Sequence, residues 1–214
     1  MTLAPRHGTV MARMELADFV RDFATALKAV DARRPVFTSR TGRVYKPGIG
    51  PHSEDRAVDL ILEEMKNVSP HGYGRFVCRV PYARSRQTCD VVLPNEWMIE
   101  VKMARFYGDN NKPDDTSLKD LLSPFDVDRS ALTDCAKLAA ADGPARKAIV
   151  IYGFDYPAWP MDPVIEAFEV RARVPVRLGE RCEASFTDLI HPVHQRGRTF
   201  GWEVPAKIAG ELHT

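Results

Sequence analysis

An α/β fold, with a mixed central sheet flanked by helices, is what this sequence predicts, and three observations predict it. Helical and strand-like periodicities alternate in the order α-β-β-β-α-β between about residues 53 and 154. Three short strand-like segments follow one another through tight polar connections, which suits antiparallel pairing. The stretch "RKAIVIYGF" (146–154) is then apolar without alternation, the mark of a strand buried on both faces.

Taken in order, residues 1 to about 12 read as a loose leader. From Met14 to Val30, the apolar positions Leu16, Phe19, Val20, Phe23, Leu27 and Val30 keep helical spacing. A basic connector rich in Gly and Pro follows, "RRPVFTSRTGRVYKPGIGP". Ser53 is a cap for a second helix running to about Asn67, with Ala57, Val58, Ile61 and Met65 as its apolar line. Strands are expected at 75–82, 88–93 and 97–103, the last two joined by "PNE". "FYGDNNKPDD" is a polar loop. A helix starting near Thr116 breaks at "SPFD" and resumes from about Asp128 to Ala141. Beyond the buried strand, Asp162-Pro163 reads as an N-cap with proline at the first helical position, opening a helix to about Arg173. Strands "ASFTDLI" and "TFGWEV" complete a β-rich C-terminal extension from about residue 160 to 214. A single domain over 1–214 is expected, with its core at about 50–155 and the 14–30 helix before it.

The chain has 214 residues, 44% hydrophobic and 28% charged, enough for one domain with a sizeable core. Thirty basic against twenty-nine acidic residues leave a net charge of +1, so overall charge does not announce a nucleic-acid partner. The arginines are clustered: Arg33, Arg34, Arg40 and Arg43; Arg75, Arg79, Arg84 and Arg86; Arg171, Arg173, Arg177 and Arg181. Such clusters suit phosphate contacts, although solvated faces are their ordinary meaning. Cys78, Cys89, Cys135 and Cys182 form no C-x-x-C pair, which argues against a zinc ribbon or redox motif. With no apolar run of membrane-spanning length, a cytoplasmic protein with reduced thiols and no membrane partner is expected. His191 and His194 form an H-x-x-H without nearby Cys or Asp spacing, and surface positions are expected for both. No glycine-rich phosphate loop points to ATP hydrolysis.

The chemistry-bearing stretch is "CDVVLPNEWMIEVK", 89–102. Strand alternation puts Glu100 and Lys102 on one face, away from Trp97, Ile99 and Val101, and sets Asp90 opposite to Cys89, Val91 and Leu93. If "PNE" is a three-residue hairpin loop, Leu93 pairs with Trp97 and Asp90 lies across from Glu100, with Cβ atoms about 5 Å apart. Two carboxylates that close repel unless a proton or cation lies between them, and a hard divalent cation suits carboxylate oxygens. Glu54 shares the core-facing stripe of its helix with Val58 and Ile61, although an acid in a first turn also complements the helix dipole. Ser130, Asp134 and Lys137 share one face of a later helix, ordinarily the wet side.

These residues resemble the PD-(D/E)xK nuclease superfamily, which has the restriction-endonuclease-like fold. The likeness rests on Asp-x(9)-Glu-x-Lys in a hairpin, after a helix with an inward Glu and before a helix-strand pair. It covers about residues 50 to 155, an αβββαβ core, and Cys89 stands where the motif name has proline. The resemblance implies a metal-dependent nuclease that hydrolyses DNA, of restriction or defence type, using Mg²⁺ for which Mn²⁺ can substitute. The alternatives are a repair, recombination or RNA nuclease of the superfamily, or a nucleic-acid-binding module that keeps the fold without turnover. It implies Asp90, Glu100 and the backbone carbonyl of Val101 as metal ligands. Lys102 would orient or activate the attacking water and stabilise charge on the scissile phosphate, with Glu54 as an auxiliary metal or water ligand. Lys137, Ser130, Arg84 and Arg86 are the candidate nucleic-acid contacts. Cutting both strands by this chemistry often uses two copies of the site, which a homodimer would supply.

Overall fold

The computed structural model describes residues 13–83, 86–174 and 176–206. The expected leader at 1–12 therefore lies outside the described residues. Chain order is α1 (Leu16–Ala32), α2 (Glu54–Val68), α3 (Pro70–Tyr73), β1 (Val77–Pro81), β2 (Thr88–Leu93), β3 (Trp97–Ala104), α4 (Thr116–Leu122), α5 (Ala131–Ala140), β4 (Arg146–Phe154), α6 (Asp162–Ala172), β5 (Cys182–Phe186) and β6 (Gly197–Glu203). The fold is α/β, with one six-stranded mixed sheet in the order β1-β2-β3-β4-β6-β5. Only β3 and β4 run parallel; the other neighbours are antiparallel.

Helices cover both faces. Gly201 lies against Val20 of α1, whereas the next residue, Trp202, packs against Phe168 of α6 with ring centroids 5.2 Å apart. Consecutive strand residues face opposite ways, so α1 and α6 lie on opposite sides of the sheet. The α1 stripe Phe19, Val20, Phe23 and Leu27 is buried, as its periodicity predicts. Strand β4 is buried from Lys147 to Phe154, which matches its unbroken apolar run.

Several boundaries differ from the sequence expectation, each for a local reason. The second half of the broken helix begins at Ala131 rather than Asp128, because Arg129 takes a left-handed conformation (φ 50°) and Ser130 caps the helix. Asp162 is the first helical residue of α6 rather than its cap. Its carboxylate is instead held by Arg198 at 2.7 Å. The C-terminal part is no separate extension: β6 pairs with β4 along seven residues and β5 closes the edge, so both belong to the central sheet. Gly197 is required there, since a Cβ would stand 1.9 Å from the carbonyl oxygen of Gly153 on β4. The short α3 was not anticipated. Among the described residues, no helix is long and apolar enough to cross a membrane.

Candidate active site

The hairpin loop 94–96 sets the register on which the site depends. Asn95 has a left-handed φ of 64°, and Glu96 N donates to Leu93 O at 2.9 Å. Leu93 pairs with Trp97, Val92 with Met98 and Val91 with Ile99. One further step along this register sets Asp90 against Glu100. The alternating burial of β2 agrees, with Cys89, Val91 and Leu93 inward and Asp90 half-buried on the other face. Asp90 Oδ2 accepts from Val101 N at 2.8 Å, and the neighbouring Asp90 carboxyl helps to raise the pKa of Glu100. Two carboxyls so placed need a shared proton or a cation.

Side chains from α2, β3, α5 and the residue that follows β1 meet above this pair. Glu54, in the first turn of α2, accepts from Met103 N at 2.5 Å and lies 3.5 Å from Lys102 Nζ. Lys102 Nζ also lies 3.0 Å from Asp134 Oδ2 on α5. One turn further along α5, Lys137 Nζ bridges Glu100 Oε1 at 2.7 Å and Asp134 Oδ1 at 2.8 Å. Tyr82 O–H donates to the same Glu100 oxygen at 2.6 Å, and its ring lies beneath Lys137 Nζ. Glu100 itself keeps only 2% of its exposure. Glu54, Asp90, Glu100, Lys102, Asp134 and Lys137 line a cleft of about 640 Å³ together with Arg79, Arg86 and Arg129.

The charge state follows from burial and neighbours. Burial pushes Glu54 up to about 7, although its side chain keeps 30% of its exposure and Lys102 and Met103 N work against the rise. Burial, then the charges of Asp134 and Asp90, raise Glu100 well above the carboxylate range. Burial alone would lower Lys102, but Glu54 and Asp134 outweigh it and hold the ammonium above its ordinary value. Lys137 is raised in the same way by Asp134 and Glu100. Both lysines are therefore charged at neutral pH. Four carboxyls (Glu54, Asp90, Glu100, Asp134) face two ammonium groups, so the fully ionised cluster would carry two net negative charges. That excess equals one divalent cation.

Most of the residues chosen from the sequence meet here: Asp90, Glu100, Val101, Lys102, Glu54 and Lys137, with Arg86 in the lining. Ser130 does not. It is fully buried, donates to Ser123 O and accepts from Thr133 N, the work of a helix cap rather than of a nucleic-acid contact. Arg84 lies outside the described residues. Asp134 and Tyr82 were missed. The α5 stripe reads as a wet face, yet Asp134 is 4% exposed and turned toward the hairpin. Its spacing from Lys137 was the available signal, but only the packing of α5 on β3 and β4 shows which way that stripe faces. The two histidines taken as surface residues are also fully buried, against Asp109 and well apart in sequence from this cleft.

No protein-family model, no curated protein and no solved structure matches the chain.

Proposed function

We propose that the protein is a Mg²⁺-dependent phosphodiesterase that cuts DNA, built on a restriction-endonuclease-like αβββαβ core and acting in a restriction or defence setting in the cytoplasm. The observation that carries this reading is the two-charge excess of carboxylate beside two protonated lysines, in an open cleft also lined by arginines. The donor set fits the ion: clustered carboxylate oxygens with neither thiolate nor imidazole suit a hard cation. Asp90 and Glu100 would hold it, with the Val101 carbonyl. When bound, the ion supplies Lewis-acid stabilisation of the charge that builds on the phosphoryl oxygens.

The protein's own groups divide the remaining work. Lys102, kept protonated by Asp134 and Glu54, is a donor to a non-bridging phosphate oxygen and cannot serve as a base near neutral pH. Glu54, poised near neutrality, accepts the proton of the attacking water. Tyr82 and Lys137 hold one oxygen of Glu100, which fixes the carboxylate plane. Arg86 and Arg129, which line the cleft, would contact backbone phosphates, a contact that reads charge rather than sequence, while Arg79 is paired with Asp59 at 2.8 Å.

Plasmid DNA incubated with the protein and Mg²⁺ should be nicked or cleaved. Asp90→Ala and Lys102→Ala should each lower the rate by about a hundredfold or more with the circular dichroism spectrum retained. Cleavage that persists in both variants defeats the assignment. Circular, linear, single-stranded and RNA substrates compared side by side separate a DNA endonuclease from an end-processing or RNA enzyme.

A further inference from the structure

A second group of ligand-type side chains lies outside the cleft, where two loops meet. Asp109 sits in the loop between β3 and α4, a turn held by Gly108 N donating to Lys112 O at 2.8 Å. His191 and His194 sit in the loop between β5 and β6, closed by Leu189 N donating to Gln195 O at 2.9 Å. The imidazoles stack with ring centroids 4.7 Å apart and planes 18° apart. Both Nε2 atoms point at one oxygen, Asp109 Oδ1, from 3.0 Å (His194) and 3.8 Å (His191). All three donor atoms lie within 4.8 Å of one another.

We propose that Asp109, His191 and His194 form a structural Zn²⁺ site, with water as fourth ligand, that clamps the β3–α4 loop to the β5–β6 loop.

Two imidazoles and a carboxylate are a donor set suited to zinc. Bonds of about 2.0–2.1 Å to a tetrahedral ion need ligand atoms roughly 3.3 Å apart, so the side chains close by small rotations alone. His191 Nε2 is the pointer: it is fully buried, aimed at Asp109, and has no hydrogen-bond partner. A buried polar atom left that way is costly unless something fills the gap. Outer contacts suit His194, whose Nδ1 is 2.7 Å from Tyr156 Oη, an oxygen that can accept a hydrogen bond from Nδ1–H when Nε2 binds metal. His191 must change tautomer, because Val193 N donates to its Nδ1; at 3.3 Å that bond is longer than an ordinary N–H hydrogen bond and is the one given up. Arg105, which donates to Gly50 O at 2.5 Å, adds positive charge nearby, so the Asp109 carboxylate is indispensable to a cation here. A Cβ on Gly50 would come within 2.4 Å of His194 Cδ2, so the glycine lets a third segment close over the site.

This site is independent of the nuclease reading, and its test is metal content rather than activity. Tag-free full-length protein is incubated with Zn²⁺ in excess Mg²⁺, which competes for any oxygen-only site, then desalted and analysed for metal. One equivalent of zinc is expected in the parent and in Asp90→Asn, and none in Asp109→Asn or His191→Gln. Co²⁺ in the parent should give the intense visible absorption of a four-coordinate, nitrogen-ligated ion, a readout that needs no variant to fold. Substoichiometric zinc in the parent, absence of that absorption, or full zinc retention in Asp109→Asn overturns the proposal.

Discussion

Binding of a divalent ion at the hairpin should expel protons, and the size of that effect follows from the charge states. Without metal, the cluster relieves its two-charge excess by keeping carboxyls protonated, and Glu54 at about 7 and Glu100 above its usual range are those groups. An ion that replaces protons binds more tightly as pH rises. For one group with a pKa near 7, the competent ionised fraction rises from about one tenth at pH 6 to about nine tenths at pH 8, so Glu54 alone gives about a tenfold gain in affinity. Glu100 titrates in the same direction and adds to it. At pH 7, Glu54 contributes about half a proton and Glu100 at most one, so the upper limit at that pH is about one and a half protons per ion. Calorimetric titration with Mn²⁺ in buffers of different ionisation enthalpy counts those protons directly. An affinity that is flat from about pH 6 to pH 8, with no proton released, would refute the charge-balance argument whatever the protein's activity.

Three other outcomes follow. Asp134→Asn removes the buried anion shared by Lys102 and Lys137; relief of repulsion with Glu100 offsets part of the loss, leaving about 1–2 kcal/mol of destabilisation in urea unfolding. A change within about 0.5 kcal/mol would mean that Asp134 is no anchor. For Glu54 the folded pKa lies above its unfolded value near 4.5, so the folded state binds more protons and this group's contribution to stability falls as pH rises from about 4.5 through 7. Glu54→Gln should flatten that slope in metal-free denaturation measured across the same window, and an unchanged slope would place the titration elsewhere. Gly197→Ala drives a methyl group into the Gly153 carbonyl on β4 and should cost about 3 kcal/mol or more, or prevent folding; a parent-like melting temperature would contradict the β4–β6 register.

The sequence by itself determined the α/β class, most elements to within a few residues, and the hairpin that carries Asp90, Glu100 and Lys102. These are local properties: alternation, helical spacing and a three-residue loop each act over a few neighbours, and the loop alone sets the register that brings the two acids together. Tertiary structure decided what alternation cannot express. Whether the Ser130, Asp134 and Lys137 stripe meets water or the hairpin depends on where α5 packs, and it packs on β3 and β4. Tyr82 becomes a partner of Glu100 because β1, β2 and β3 are adjacent in the sheet. The acid nearest to His191 in the chain, Asp188, pairs with Lys28, and Asp109 reaches the two histidines from 82 residues upstream of His191, through the packing of two loops. Burial and charge are sums over everything that surrounds a side chain, so residues far apart in the chain enter them only after folding.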